Sequence, residues 1–324
     1  VSGICKKVIM IQNLPELTCE KTLAEITGEK PTLFRPPFGS YKKDWKGSYK
    51  VRKKVQEYRN GIKIEVEKEY HKQINVFAKI VGKRPGLILD YETVTCNGNE
   101  GKQEYEPYVA IKLIERLKKS YGQGIDVIVG DAIYLEEKFL EAVIKEEYIA
   151  VVRLKDNRKA FIAECEGLFK LQKPKLISKT KKKEIKCWSE NLAYKGIPVK
   201  VVKFEERYYK DKELKIDTIY VVSTSLSLKN ETINKIIHAR WDIENNGFNE
   251  LKNYWQMKHC FMADEKAINV ILQMMILSYN LWELYLYGHL HDFEKRKITK
   301  LGYIEMIAET ISMATVEELR FSSA

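Results

Sequence analysis

Between Ile62 and Leu154 the apolar residues change period several times, and that alternation restricts the chain to an α/β fold. Ile62-Lys-Ile-Glu-Val66 alternates with period two, Ile74 to Val81 follows, and Gly86-Leu-Ile-Leu89 runs into Asp90. After the Gly98 to Gly101 turn, Val109, Leu113, Ile114 and Leu117 repeat at helical spacing as far as Gly122. The short run Ile125-Asp-Val-Ile-Val129 then closes on Gly130-Asp131, and a helix over 136–145 and a strand over 149–154 come next. Strand, helix, strand, helix, strand argues for a sheet with parallel members.

The flanking regions read differently. Residues 1–60 form an N-terminal region that is partly irregular, with helical spacing near Leu14 to Ile26, prolines at 31, 36 and 37, and a basic run from Tyr41 to Lys54. The chain starts at Val1 rather than Met, so truncation upstream is an open reading. Residues 172–225 open on a lysine-rich run and continue into apolar strands over 197–204 and 216–223. The expected organisation is therefore an N-terminal region, a core made of 61–171 and 226–324, and a β-rich insertion over 172–225.

Lys and Arg number 56 against 45 Asp and Glu, a formal charge of +11, which favours a polyanionic partner, nucleic acid above all. The six cysteines contain no CxxC pair and the histidines no HExxH spacing, so neither a zinc site nor a disulfide framework is expected, and a reducing cytoplasm fits. The most apolar stretch, Ala267 to Leu290, is interrupted by Gln273, Asn280 and Glu283 and reads as a buried helix, with Met274, Met275, Leu277, Leu281, Trp282 and Leu284 in the core. No membrane partner is expected.

Two acids stand out. Asp131 ends an apolar strand, where open α/β sheets collect their ligand-binding groups; the plain alternative is a cap for the next helix. Glu244 lies in Arg240-Trp-Asp-Ile-Glu-Asn-Asn-Gly-Phe-Asn-Glu-Leu-Lys252, and regular helix geometry centres it on a stripe of Trp241, Phe248, Leu251 and Trp255. That placement predicts a buried carboxylate needing a cation, from Arg240 or a metal ion; the plain alternative is a surface Arg–Glu pair. Trp188 is open to two readings, packing or stacking on an extruded base, and the lysine-rich run to phosphate binding or simple solvation.

Arg240-Trp-Asp-Ile-Glu244 with Phe248 and Lys252 resembles the signature of the DDE transposases of bacterial insertion sequences, in the branch marked by tyrosine, arginine, glutamate and lysine. Gly130-Asp-Ala-Ile-Tyr134 resembles that family's second-aspartate motif, and the likeness runs from about residue 62 to 285. Ile237 stands where the signature has tyrosine, and Lys252 comes one residue later than the usual spacing. The resemblance implies an RNase H-like mixed sheet flanked by helices, with the β-rich insertion between the second aspartate and the glutamate helix. It also implies Mg²⁺ or Mn²⁺ held by Asp131, Glu244 and a first aspartate, for which Asp44 is favoured over Asp90. Arg240 and Lys252 would contact DNA phosphate. The partners implied are double-stranded DNA, as element ends and target, and a homodimer on paired ends. Beside this transposase reading stand a catalytically inactive DNA-binding remnant and a nuclease that cuts without joining.

Overall fold

The computed structural model describes residues 8–20, 48–59, 62–94, 96–97, 102–103, 105–155, 158–180, 182–211, 213–255, 257, 265–290, 293 and 298–313. Its frame is a ten-stranded mixed sheet. Strands β1 (Val8–Glu20), β2 (Ser48–Arg59), β3 (Ile62–Ile80) and β4 (Ile88–Thr93) make the antiparallel part. Two short strands, β5 (Cys96–Asn97) and β6 (Lys102–Gln103), pair with each other apart from that sheet. β1 runs parallel to β7 (Val127–Gly130), which runs parallel to β8 (Ile149–Leu154). This order, antiparallel members feeding a parallel set, is consistent with the RNase H-like arrangement that the resemblance implies.

Helix α1 (Glu106–Tyr121) and helix α2 (Glu137–Lys145) carry the chain towards β7 and from β7 to β8, as the apolar spacing predicts. α1 buries Val109, Leu113, Ile114 and Leu117 against one sheet face, together with Phe139, Leu140 and Val143 of α2. After α3 (Lys159–Phe169) come β9 (Lys175–Lys179), β10 (Lys183–Tyr194), β11 (Ile197–Lys210) and β12 (Glu213–Ser223), an antiparallel set that joins the same sheet where β12 pairs with β8. Trp188 of β10 packs against the core, with Lys203 Nζ 5.2 Å above its ring, which is the packing reading of that residue.

Three expectations need correcting. The helical spacing that begins at Leu14 belongs, as far as Glu20, to strand β1, and the pairing of β1 with β3 slips between Leu14 and Leu17, around Pro15. Proline has no amide hydrogen to give a ladder, so a slip is where a strand accommodates one. The segments around Ile62–Val66 and Ile74–Val81 join into one strand, β3. The long apolar helix α7 (Glu265–Leu284) is buried on one face only: Leu272, Tyr279 and Glu283 are enclosed, while Met274, Leu277, Leu281 and Leu284 are exposed. Among the described residues no helix is long and apolar enough to cross a membrane.

Candidate active site

β7 is four buried residues, and the Tyr134 side chain restricts its last, Gly130, where a Cβ would come within 3.1 Å of that ring. Tyr134 is fully buried and donates its hydroxyl to Glu106, so the turn over Ala132–Tyr134 is held tightly under the strand end. Asp131 sits at that junction in extended conformation. It holds the N-cap position of that short turn, without a side-chain cap bond, and does not cap α2, whose N-cap is Glu136.

The Asp131 carboxylate faces Lys155, just past the end of β8, with Nζ 3.1 Å from each oxygen. Oδ2 accepts the hydrogen bond; Oδ1 is buried and accepts none. Burial works to raise the carboxyl's pKa, but the Ala132 amide, Lys155 and Arg240 outweigh it and hold the group below its ordinary range. Arg240, 109 residues further along the chain (240 − 131), is the smallest of these contributions, and the helix that leads into it, residues 230–239, packs against β8, the strand beside β7.

α4 (Asn230–Ala239) leads into α5 (Trp241–Ile243), a π-turn over Glu244–Phe248, and α6 (Asn249–Asn253). Arg240 Nη1 donates to Glu244 Oε1 at 2.6 Å. The buried member of the pair is the cation: the Arg240 side chain is 4 % exposed and that of Glu244 34 %. This overturns the expectation of a buried Glu244 on a stripe with Trp241, which is itself 52 % exposed. The π-turn starts at Glu244, so the regular rotation that defined the stripe stops there. Arg240 Nε is buried without a hydrogen-bond partner, and its guanidinium lies 5.6 Å from the Trp241 ring centre. Lys252 is half-buried on α6.

The opposite side of the π-turn is held by a buried ionic network that the sequence did not announce. Lys79 of β3 is fully buried with Nζ 3.4 Å from Asp242, and Asp242 also meets Arg84 at 3.3 Å and Asn246 at 2.6 Å. Burial first, and then Arg84, push the Lys79 ammonium down, against the pull of Asp242 and Glu283. Gly247 lets the helix approach Lys79 closely, since a Cβ there would meet the lysine stem at 3.0 Å. Tyr279 donates to the Asn246 carbonyl at 2.5 Å, satisfying backbone inside the π-turn. Behind it, Glu283 accepts from the Gly86 amide and from Lys300, at the start of α8 (Lys300–Met313), and Lys300 also pairs with Glu250 at 2.9 Å.

A model of the transposase DDE domain matches residues 38–281, about three quarters of the chain, and spans Asp131, Arg240, Glu244 and Lys252. The chain belongs to the DDE transposase family. A search of the curated proteins finds no match. DDE transposases are DNA-rearranging enzymes that generally use divalent metal ions, which poses the question of what could hold one here. The two carboxylates fit in kind, being hard oxygen donors, with Asp131 Oδ1 free of hydrogen bonds and Glu244 partly exposed. Among the described residues no group of three His, Cys, Asp or Glu comes together. Asp44, expected as the first aspartate, lies outside the described residues. Asp90 does not reach the site: β4 pairs with β3, which β1 separates from β7, and the Asp90 carboxylate is bound by Arg116 at 2.8 Å.

Lys155, Lys79 and Asp242 were not foreseen. The one signal for Lys155 was the sequence Val-Val-Arg-Leu-Lys155, two cations at the end of an otherwise apolar strand.

Proposed function

We propose that this chain is the transposase of a bacterial insertion sequence, of the tyrosine–arginine–glutamate–lysine branch, cleaving element ends and joining them to target DNA by in-line phosphoryl transfer. On this reading 61–171 and 226–324 form the RNase H-like core, and 172–225 is its insertion. The supporting observation is Arg240: buried and bonded to Glu244, it also contributes to holding Asp131 ionised, and the helix that leads into it packs against β8, the strand beside Asp131's own.

Asp131 and Glu244, with Asp44 as the third carboxylate, would hold Mg²⁺ or Mn²⁺. The bound cation would activate the attacking hydroxyl and steady the leaving oxygen. Arg240, from its buried position, orients Glu244; Lys252 would contact the DNA phosphate; and Lys155 helps keep Asp131 ionised. The protein would act in the cytoplasm on double-stranded DNA, as a homodimer on paired ends.

Substituting Glu244→Ala should abolish Mn²⁺-dependent strand cleavage while duplex binding is retained. Unchanged cleavage would overturn the proposal. One observation favours a second reading, a DNA-binding remnant without chemistry: past its last pairing with β7 at Met10, β1 continues Ile11-Gln12-Asn13, with no acid beside the Asp131 end. Metal-dependent nicking by the wild-type protein excludes that reading, and strand-transfer products exclude a nuclease that only cuts.

A further inference from the structure

α7 has two unlike faces. Leu272, Tyr279 and Glu283 are enclosed, and Asn280 beside them bonds both backbone groups of Ile88 on β4. On the far side Val270, Met274, Leu277, Leu281 and Leu284 are each between 45 % and 63 % exposed. Their spacing is 4, 3, 4, 3, so at about 100° per residue all five fall within an arc of roughly 80°, directly opposite Tyr279. A stripe that narrow is the seam of a helix pair, not the broader face with which a helix covers a sheet. It runs for about 21 Å.

Charge limits what can lie along it. From Ala267 to Leu284 the sole charged residue is Glu283, which is enclosed, so the stripe offers nothing to phosphate or to a charged partner. On this helix the nearest outward charge is Lys266, one turn before Val270. A second copy supplies a seam of the same length and spacing, and two chains of formal charge +11 meet there without opposing like charges. Laid antiparallel with Leu277 against its own counterpart, Val270 meets Leu284 and Met274 meets Leu281. The two Lys266 side chains then stand at opposite ends, each near the carboxyl-terminal end of the other helix, whereas a parallel pair would set them against each other. Antiparallel pairing over this length buries on the order of 1,000 Å² in total, the lower end for a specific interface, which implies a reversible dimer.

We propose that the exposed stripe of α7 is the interface between two copies of this chain, paired antiparallel about a two-fold axis at Leu277. The inference gives a surface to the homodimer of the transposase reading but rests on α7 alone.

The test is sedimentation velocity of the full chain without DNA over a concentration series, for wild type, Leu277→Glu and Leu277→Lys, with circular dichroism confirming the fold. Wild type should move from 37.9 kDa towards twice that mass as concentration rises. Leu277→Glu sets two carboxylates against each other on the axis and should raise the dissociation constant at least about 30-fold, the loss expected of a central anchor. Leu277→Lys should do the same, and an equal mixture of the two should recover the dimer. Wild type that stays monomeric leaves the stripe to a different partner and overturns the proposal, as does a dimer that folded Leu277→Glu leaves intact. Variants that dissociate singly and do not recover when mixed overturn the antiparallel seam. If either variant does not fold, Met274→Glu with Leu281→Lys, expected to dimerise, and Met274→Glu with Leu281→Glu, expected not to, are read in its place. A monomeric chain that still cleaves DNA overturns the interface alone, and a dimer that cleaves none overturns the transposase reading alone.

Discussion

The two sides of the signature helix treat their charges in opposite ways. Behind it, Lys79, Arg84 and Lys300 meet Asp242, Glu250 and Glu283, three cations against three carboxylates, with Lys79, Glu250 and Glu283 buried. In front, Arg240 and Lys155 meet Glu244 and Asp131, two cations against two carboxylates, none of which but Arg240 is buried. The rear face is closed electrostatically as well as sterically, which suits a framework. The front face leaves Asp131 Oδ1 and Arg240 Nε without hydrogen-bond partners, which suits a surface completed by something else.

The largest effect that tests this contrast is the loss of Glu283. Glu283→Ala removes a fully buried acceptor from Lys300, Arg84 and the Gly86 amide, and should cost about 3–5 kcal/mol in urea unfolding. A loss below about 1 kcal/mol would mean that the rear network is not holding the helix.

A smaller effect is expected at Glu206, another enclosed carboxylate, bonded to His238 at 2.6 Å and Lys183 at 2.8 Å. Burial opposes ionisation there, but the two partners prevail and hold the carboxyl at about 2, against 4.5 for a free one. Because the folded value is the lower, the stabilisation is complete above pH 4.5 and disappears as pH falls through 2. Glu206→Gln should therefore lower stability by about 2 kcal/mol at pH 6, with the difference from wild type closing towards pH 2. A gap that does not depend on pH would show that packing, not charge, is what Glu206 contributes.

The smallest effect on stability belongs to the front face. Asp131→Asn should shift unfolding by less than about 1 kcal/mol, since Lys155 is half exposed and readily solvated, while strand cleavage is lost. Destabilisation above about 2 kcal/mol would move Asp131 to the structural side of the comparison.

How much the sequence discloses depends on the range of each interaction. The elements from α1 to β8 are set by local periodicity, and Val109, Leu113, Ile114 and Leu117 take the inward positions that their spacing predicts. β1 is not legible in this way because its strand character comes from β3 and β7, which lie more than 60 residues away at their pairing with Ile9. The acids are legible in type: Asp131 does end its strand, and Glu244 does pair with Arg240. Which of the pair is buried is not legible, because one π-turn changes the rotation after Ile243. The rear network is invisible for a different reason. Lys79 and Asp242 are 163 residues apart, and no local pattern marks a lysine on a strand as one that a glycine will enclose.

The π-turn has a further consequence for the count of residues along its helix. Eight steps separate Glu244 from Lys252, which on an uninterrupted α-helix is a rotation of about 800° and would leave the lysine roughly 80° off the glutamate's side. A widened turn absorbs one residue and brings Lys252 back towards that side. The helix thus takes up one residue within a single turn, so that Glu244 and Lys252 stand closer to one side than their spacing alone would allow.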